Sequence, residues 1–151
     1  MNTLEINRIL QKFQINHVFK GVFACDMLPN KFSLPAAFII NLSPISEPGT
    51  HWIAIYINEN GLGEYFDSYG LSPRNKFILY FLRFHCKQYN YNKIQLQHIN
   101  SSVCGEYSSL YLVYKLKNKN LKDYCTKFSN NTYINDIVIR NLFSYLKSLI
   151  Y

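Results

Sequence analysis

Two apolar segments joined by a tight-turn dipeptide constrain the fold of this chain most strongly. Residues 51–58 are apolar and aromatic enough for a central strand, and Asn60-Gly61 is a strong turn signal. Residues 64–67 then return as the paired strand. The sequence therefore predicts an antiparallel hairpin that begins at His51 and ends at Asp67.

The N-terminal half predicts further elements around this hairpin. Thr3 can cap a first amphipathic helix, residues 21–35 are expected to be irregular, and residues 36–41 have the composition of a short buried strand. Ser72-Pro73 is typical of a helix start, and this helix should extend to about Gln88. Its expected buried residues are Phe77, Leu79 or Tyr80, Leu82 and Phe84.

The C-terminal half predicts a strand and two helices. Residues 93–97 are expected to form the strand, and residues 104–117 a helix with one side made of Tyr107, Leu110, Tyr111 and Tyr114. Asn131 and Thr132 should start a final helix whose apolar residues are Ile134, Ile137, Val138, Leu142 and Leu146. Together the elements predict one mixed α+β domain over residues 1–151.

Composition indicates a folded protein with no secretory or membrane segment. The 48% hydrophobic and 17% charged content of the 151 residues is that of a globular chain rather than a disordered one. The N-terminus lacks the apolar core of a signal peptide, and no apolar run approaches a membrane span. We therefore expect a protein that is not secreted. Nothing in the chain demands an oligomer, so we expect a monomer.

The spacing of the cysteines and histidines argues against a disulfide framework and against a metal site. The cysteines at 25, 86, 104 and 125 make no CxxC pair, which predicts free thiols in a reducing compartment. The clustered His or Cys spacing of a metal site is missing too, so we expect no metal or organic cofactor. Cys25 and Cys125 suit buried, inert thiols. His85-Cys86 is no dyad, because adjacent residues on a helix point apart.

The net charge of +7 has two explanations. Lysine and arginine concentrate around residues 83–93 and 115–127. A solvated face enriched in lysine by A/T-rich codons is one explanation, and a surface for DNA or an acidic partner is the other. The sequence contains no helix-turn-helix, zinc-finger or RNP-type motif that would favour the second.

Four side chains suit the active site of a cysteine peptidase: Cys104, His51, Asp67 and Gln97. Cys104 lies where a loop meets a predicted helix, and the free N–H groups and dipole of a helix N-terminus favour a thiolate. His51 and Asp67 can lie side by side in the hairpin. The carboxylate would then accept the Nδ1–H of the imidazole, which leaves Nε2 to face Cys104.

Gln97 and Gly105 complete this hypothesis. The Gln97 amide can donate to a developing oxyanion alongside the backbone N–H of Cys104. Gly105 would let a substrate backbone pass close to the thiol. Each residue alone also has an ordinary explanation, such as a strand-opening histidine, a capping aspartate or a surface glutamine. The hypothesis therefore depends on the whole set.

Three motifs hold these residues in the order His, Asp, Cys: Gly49-Thr50-His51-Trp52, Phe66-Asp67-Ser68-Tyr69-Gly70 and Gln97-His98-Ile99-Asn100-Ser101-Ser102-Val103-Cys104-Gly105. In order and spacing they resemble the adenovirus-type cysteine proteases, relatives of the proteases that process SUMO and other ubiquitin-like proteins. The adenoviral branch places its glutamine seven residues before the cysteine, as Gln97 lies before Cys104. Its third member is a glutamate, whereas Asp67 matches the SUMO proteases. The resemblance spans roughly residues 20–117.

The resemblance implies a papain-like α+β fold with rearranged order, a central mixed sheet, and the nucleophile at the N-terminus of a packed helix. It implies a thiol endopeptidase that matures viral capsid or core precursors, in the host nucleus or cytoplasm and in the virion. Cys86 matches the cysteine through which adenoviral enzymes form a disulfide with an activating viral peptide. Viral DNA is a second cofactor of that family.

Two other functions stay open at this point. The first is a protease for ubiquitin or a ubiquitin-like protein, which reporters derived from ubiquitin and SUMO would identify. The second is a non-catalytic protein that binds DNA or a partner through its basic face. It predicts salt-sensitive DNA binding without thiol chemistry at Cys104.

Overall fold

A computed structural model describes residues 1–13, 17–115 and 117–149. In that part of the chain, five strands form one sheet in chain order: β1 (Phe19–Ala24), β2 (Ala36–Asn41), β3 (Trp52–Ile57), β4 (Leu62–Phe66) and β5 (Gln88–Tyr91). The helices are α1 (Thr3–Lys12), α2 (Lys76–His85), α3 (Cys104–Lys115), α4 (Leu121–Cys125) and α5 (Thr132–Ser148). No helix within these ranges is long and apolar enough to cross a membrane.

The predicted hairpin lies at the centre of the sheet. β3 pairs antiparallel with β4 on one side and with β2 on the other. The outer pairs, β1 with β2 and β4 with β5, are parallel, so the sheet is mixed. This arrangement confirms the expected α+β class, the buried strand at residues 36–41 and the central position of β3.

Both faces of the sheet are covered, which explains the continuous apolar run of β2. Because successive side chains point to opposite faces, Ala37 and Ile39 pack on one side and Phe38 and Ile40 on the other. The first side packs against residues of α1, α3, α4 and α5, and the second packs against α2. α3 lies directly on β3, where Ser108 Oγ donates to the carbonyl of Trp52 at 3.2 Å.

Three strand and cap predictions are wrong. The first helix is capped by Asn2, which accepts the Glu5 N–H while the Glu5 carboxylate accepts the Asn2 N–H. The segment expected to be irregular contains most of β1, which pairs with β2 across a bulge near Gly21. Residues 93–97 form no strand. The fifth strand is β5, and Leu96 N–H and Gln97 N–H both donate to the Ser68 carbonyl instead of to a ladder.

The helix α2 begins later and buries other residues than the sequence indicated. Its N-cap is Asn75, whose side chain accepts two backbone N–H groups, and the helix ends at His85. The buried residues are Ile78, Phe81 and Leu82, so only the last was expected. Phe77, Tyr80 and Phe84 are 38–69% exposed. The short helix α4 has no counterpart in the sequence-based prediction.

The last helix is capped by Asn131 as predicted but faces the core with another side. Its buried residues are Asn135, Asp136, Ile139 and Phe143. The residues expected inside are 43–49% exposed at Ile134, Ile137, Val138 and Leu142. The physical reason is a set of hydrogen bonds from the two buried polar side chains, described below.

Candidate active site

The hairpin brings His51 and Asp67 together. Their side chains meet through Nε2 and Oδ1 at 2.8 Å, one residue before β3 and one residue after β4. The sequence predicted this pair with the wrong imidazole nitrogen, because Nδ1 was expected to bond Asp67. Since Nε2 holds the carboxylate, Nδ1 is the nitrogen left for the thiol of Cys104.

A turn and a neighbouring loop fix Asp67. The carboxylate is buried, and its Oδ1 also accepts the backbone N–H of Tyr69 at 2.8 Å. The backbone of Asp67 is bonded on both sides by one amide side chain, because its N–H donates to Asn92 Oδ1 at 2.9 Å and its carbonyl accepts from Asn92 Nδ2 at 2.5 Å. Asn92 follows β5 directly and was missed, since asparagine in a loop carries no distinctive sequence signal.

The contacts of His51 with Asp67 and Cys104 keep the imidazole protonated at neutral pH. Burial lowers the pKa of His51, but hydrogen bonds and charges of Asp67 and Cys104 outweigh it and raise the pKa to about 9. The side chain is 14% exposed, so water screens the pair weakly.

Cys104 is the first residue of α3 and lies against His51. Burial raises the pKa of its thiol, yet the net pKa is lowered, because His51 and the backbone N–H groups of Trp52 and Gly105 hydrogen-bond the sulfur. The Gly105 N–H is one of the unpaired donors of the helix N-terminus. A lowered thiol pKa beside a raised imidazole pKa gives a thiolate–imidazolium pair, the reactive form of a cysteine nucleophile.

Gln97 is fully buried and is linked to His51 through Tyr69, whose hydroxyl it bonds and whose ring stacks on the imidazole. Its Nε2 donates to the Ser101 carbonyl at 2.8 Å and to Tyr69 Oη at 3.3 Å, while its Oε1 accepts the Ser68 hydroxyl at 2.6 Å. These bonds tie the amide to the segment that leads into Cys104. Donation from Gln97 to an oxyanion stays a prediction.

Tyr69 is a further residue of the site that sequence reasoning missed. Its ring stacks on the imidazole of His51 with centroids 4.9 Å apart and an interplanar angle of 25°. The next residue, Gly70, has φ +69°, and an added Cβ would lie 2.6 Å from the carbonyl carbon of Ile94. Only glycine fits this turn. The Tyr69-Gly70 dipeptide was therefore the sequence signal that could have indicated a tight turn presenting Tyr69 to His51.

A cleft of about 410 Å³ is lined by Met1 and Trp52, the two residues that lie against Gly105. Its walls include Trp52, Asn41, Phe23 and Met1. Gly105 does not open toward a substrate as expected, since a Cβ there would lie 3.2–3.3 Å from Met1 and Trp52 atoms. Its small size serves packing of these two side chains.

The remaining cysteines are unsuited to thiolate chemistry. Burial raises the pKa of Cys86 and of Cys125 to about 11. Cys86 is the C-cap of α2, and its Sγ occupies the space above Gly63, where a Cβ would lie 2.6 Å from the sulfur. All four cysteines are free, as predicted. Within the described ranges, no group of three or more His, Cys, Asp or Glu side chains could hold a metal ion.

Comparison with known proteins shows the fold. No protein-family model matches the sequence, and no curated protein sequence is similar to it. Among solved structures, the ASFV pS273R protease matches with a TM-score of 0.67 at 19% identity, over 96% of this chain and 66% of that protease. Its Se-Met form matches with a TM-score of 0.61 at 19% identity, over 92% and 66%.

A bacterial structure has the same arrangement at lower similarity. The central domain of the uncharacterized Lpg1148 protein from Legionella pneumophila matches with a TM-score of 0.51 at 13% identity, over 98% of both chains. These matches confirm the predicted papain-like α+β fold and agree with the resemblance stated above. The chain spans about two thirds of the length of the pS273R protease.

Proposed function

We propose that this chain is a cysteine endopeptidase with Cys104 as nucleophile, His51 as acid and base, and Asp67 as the group that orients His51. The observation that carries the proposal is the imidazole of His51, held by Asp67 at 2.8 Å and close enough to Cys104 to lower the pKa of its thiol. The fold shared with a viral protease supports it.

The chemistry follows from the ion pair. The Cys104 thiolate attacks the scissile carbonyl carbon, and the carbonyl π electrons move to the oxygen as an oxyanion. The backbone N–H of Cys104 and the Gln97 amide are the donors assigned to that oxyanion. When the intermediate collapses, the C–N bond breaks and His51 gives its Nδ1 proton to the leaving amine. His51 then takes a proton from water, which attacks the thioester and releases the acid and the thiolate.

We propose viral precursor proteins as the substrates. The resemblance to adenovirus-type enzymes and the shared fold with the ASFV pS273R protease support this class. Trp52 lines a cleft of about 410 Å³, which we expect to favour small residues near the cut. An activating peptide and DNA stay predictions, and the half-buried Cys86, whose pKa burial raises to about 11, suits a peptide disulfide poorly.

Digestion of a denatured proteome tests the peptidase proposal. Wild-type protein should generate new N-termini in a denatured proteome digest read by mass spectrometry, and Cys104→Ala should generate none while melting at a similar temperature. Cys125→Ala is the matched control, since this buried cysteine lies away from His51 and should leave cleavage in place. Undiminished cleavage by Cys104→Ala would rule the mechanism out. Ubiquitin- and SUMO-derived reporters in the same assay test the alternative substrate class.

A further inference from the structure

The helix α5 carries a polar pair on its buried side. Asn135 and Asp136 are 2% and 5% exposed, whereas Ile134 and Ile137 on the same helix are 49% and 46% exposed. Burying a carboxylate and an amide while isoleucines face water is unfavourable unless the buried groups are well bonded. The bonds of the polar pair therefore set the orientation of this helix.

Both polar side chains bond the backbone of the segment that precedes the nucleophile. Asn135 Nδ2 donates to the Leu96 carbonyl at 3.1 Å, and Asp136 Oδ2 accepts the His98 N–H at 3.3 Å. The two bonds fall on the residues directly before and directly after Gln97. Asp136 Oδ1 also accepts the hydroxyl of Tyr107 at 3.0 Å, which links the same carboxylate to the nucleophile helix α3.

The catalytic hairpin holds the same segment from its other side. Leu96 N–H and Gln97 N–H donate to the Ser68 carbonyl at 2.9 and 3.0 Å. Ser68 directly follows Asp67, so the segment around Gln97 is bonded between the hairpin and α5. Loss of the α5 bonds would leave the His98 N–H without its acceptor, and the segment would be held by Ser68 and by the Tyr107 hydroxyl, which donates to the Leu96 carbonyl at 3.1 Å.

We propose that Asp136, together with Asn135, is a positioning residue that holds residues 96–98 so that the Gln97 amide stays in place for the oxyanion that forms on the substrate carbonyl when Cys104 attacks it. Asp136 itself touches no reacting atom. This inference rests on the proposed function. A displacement of about 1 Å at a catalytic group is enough to cost about 10²-fold in rate.

Two small reagents separate this role from a general role in folding. Iodoacetamide alkylates the Cys104 thiolate by displacement, so a C–S bond forms, iodide leaves, and no oxyanion arises. p-Nitrophenyl acetate acylates the same thiolate through a tetrahedral oxyanion, which collapses to the thioester and releases p-nitrophenolate. The ratio of acylation rate to alkylation rate therefore measures oxyanion stabilisation apart from thiolate population.

The Asp136→Ala variant should lower this ratio at least about 10-fold, and Gln97→Ala should lower it about 10²-fold. Asn131→Ala is the matched control. It removes the N-cap of the same helix, where the side chain accepts only the N–H groups of Tyr133 and Ile134. The control should keep the wild-type ratio. Asp136→Asn, which keeps one acceptor, should fall between wild type and Asp136→Ala.

Each outcome decides the proposal. A wild-type ratio in Asp136→Ala, or an equal fall in Asn131→Ala, overturns it. Failure of both Asp136 variants to fold makes the role structural and overturns it too, as does wild-type protein that is alkylated normally but never acylated. If the ratio falls in Asp136→Ala while no peptide is cut by wild type, the peptidase proposal fails and the positioning role stands.

Discussion

Replacing Asp67 with asparagine should shift the reactivity of Cys104 to higher pH. Burial lowers the pKa of His51, but Asp67 and then Cys104 raise it from 6.5 to about 9. This rise corresponds to about 3 kcal/mol of stabilisation of the imidazolium. Asp67 exceeds Cys104 both in hydrogen bonding and in charge, so the carboxylate is the larger of the two contributors to the raised pKa of His51. Its loss should weaken the thiolate–imidazolium pair about tenfold or more.

The direction of the pH shift follows from the protonation states of His51 and Cys104. At acid pH the thiolate exists because an imidazolium stabilises it, and the pKa of Cys104 is lowered accordingly. Removing the carboxylate lowers the pKa of His51, so less imidazolium remains to stabilise the thiolate, and the thiol of Cys104 ionises only at higher pH. We expect the midpoint of Cys104 alkylation to rise by about one pH unit in Asp67→Asn, with about a tenfold lower rate on the acid limb.

Iodoacetamide rates with mass-spectrometric mapping of Cys104 measure this shift. Asp123→Asn is the matched control, since that carboxylate caps α4 through the Asn120 N–H and lies outside the site. The control should titrate as wild type. A folded Asp67→Asn protein with the wild-type midpoint would refute the reasoning, because the imidazolium would then be stabilised by other groups.

Two substitutions test the packing that supports the site, with urea denaturation as the measurement. Asn92→Ala should lower the free energy of unfolding by about 2 kcal/mol, because it leaves the buried N–H of Asp67 unpaired and removes one of the two donors to the Asp67 carbonyl, which keeps the Gly70 N–H. Tyr111→Phe should lower it by about 2 kcal/mol, because the buried hydroxyl donates to the Glu64 carboxylate, which keeps only Lys115 as a side-chain partner.

Exposed positions of the same residue types provide the controls. Asn90→Ala, on the strand before Asn92, and Tyr145→Phe, where the side chain is 62% exposed, should each change the free energy of unfolding by less than about 0.5 kcal/mol. If a buried variant and its exposed control unfold at the same urea concentration, the assigned hydrogen bonds contribute nothing to stability.

Local signals were sufficient where one segment decides its own structure. The apolar run, the Asn60-Gly61 turn and the return strand form the hairpin without help from distant residues, and this places His51 near Asp67. The sequence also predicted Cys104 as the first residue of α3, because a loop segment precedes a helical pattern at this position. The sequence did not predict which nitrogen of His51 bonds Asp67, since the orientation of the ring goes together with its stacking on Tyr69.

Distant partners decided the features that the sequence did not reveal. Apolar periodicity assigned Ile134 and Ile137 to the core side of α5, yet Asn135 and Asp136 bond Leu96 and His98 and turn the helix the other way. The orientation of α5 therefore depends on backbone groups in a loop almost forty residues earlier. The sequence of α5 alone contains no signal for these groups. The hydrogen bonds between the Asn92 side chain and the backbone of Asp67 could not be predicted from the sequence for the same reason.

The hairpin has a consequence for the order in which the site is assembled. His51 and Asp67 are 16 residues apart, whereas the contact that docks α3 onto β3, from Ser108 to Trp52, closes 56 residues. Closing the shorter loop costs less chain entropy, so the acid–base pair can form early from neighbouring strands. The thiol meets the imidazole only when α3 is docked. We therefore expect a newly made chain to keep an ordinary, unreactive cysteine until α3 is docked.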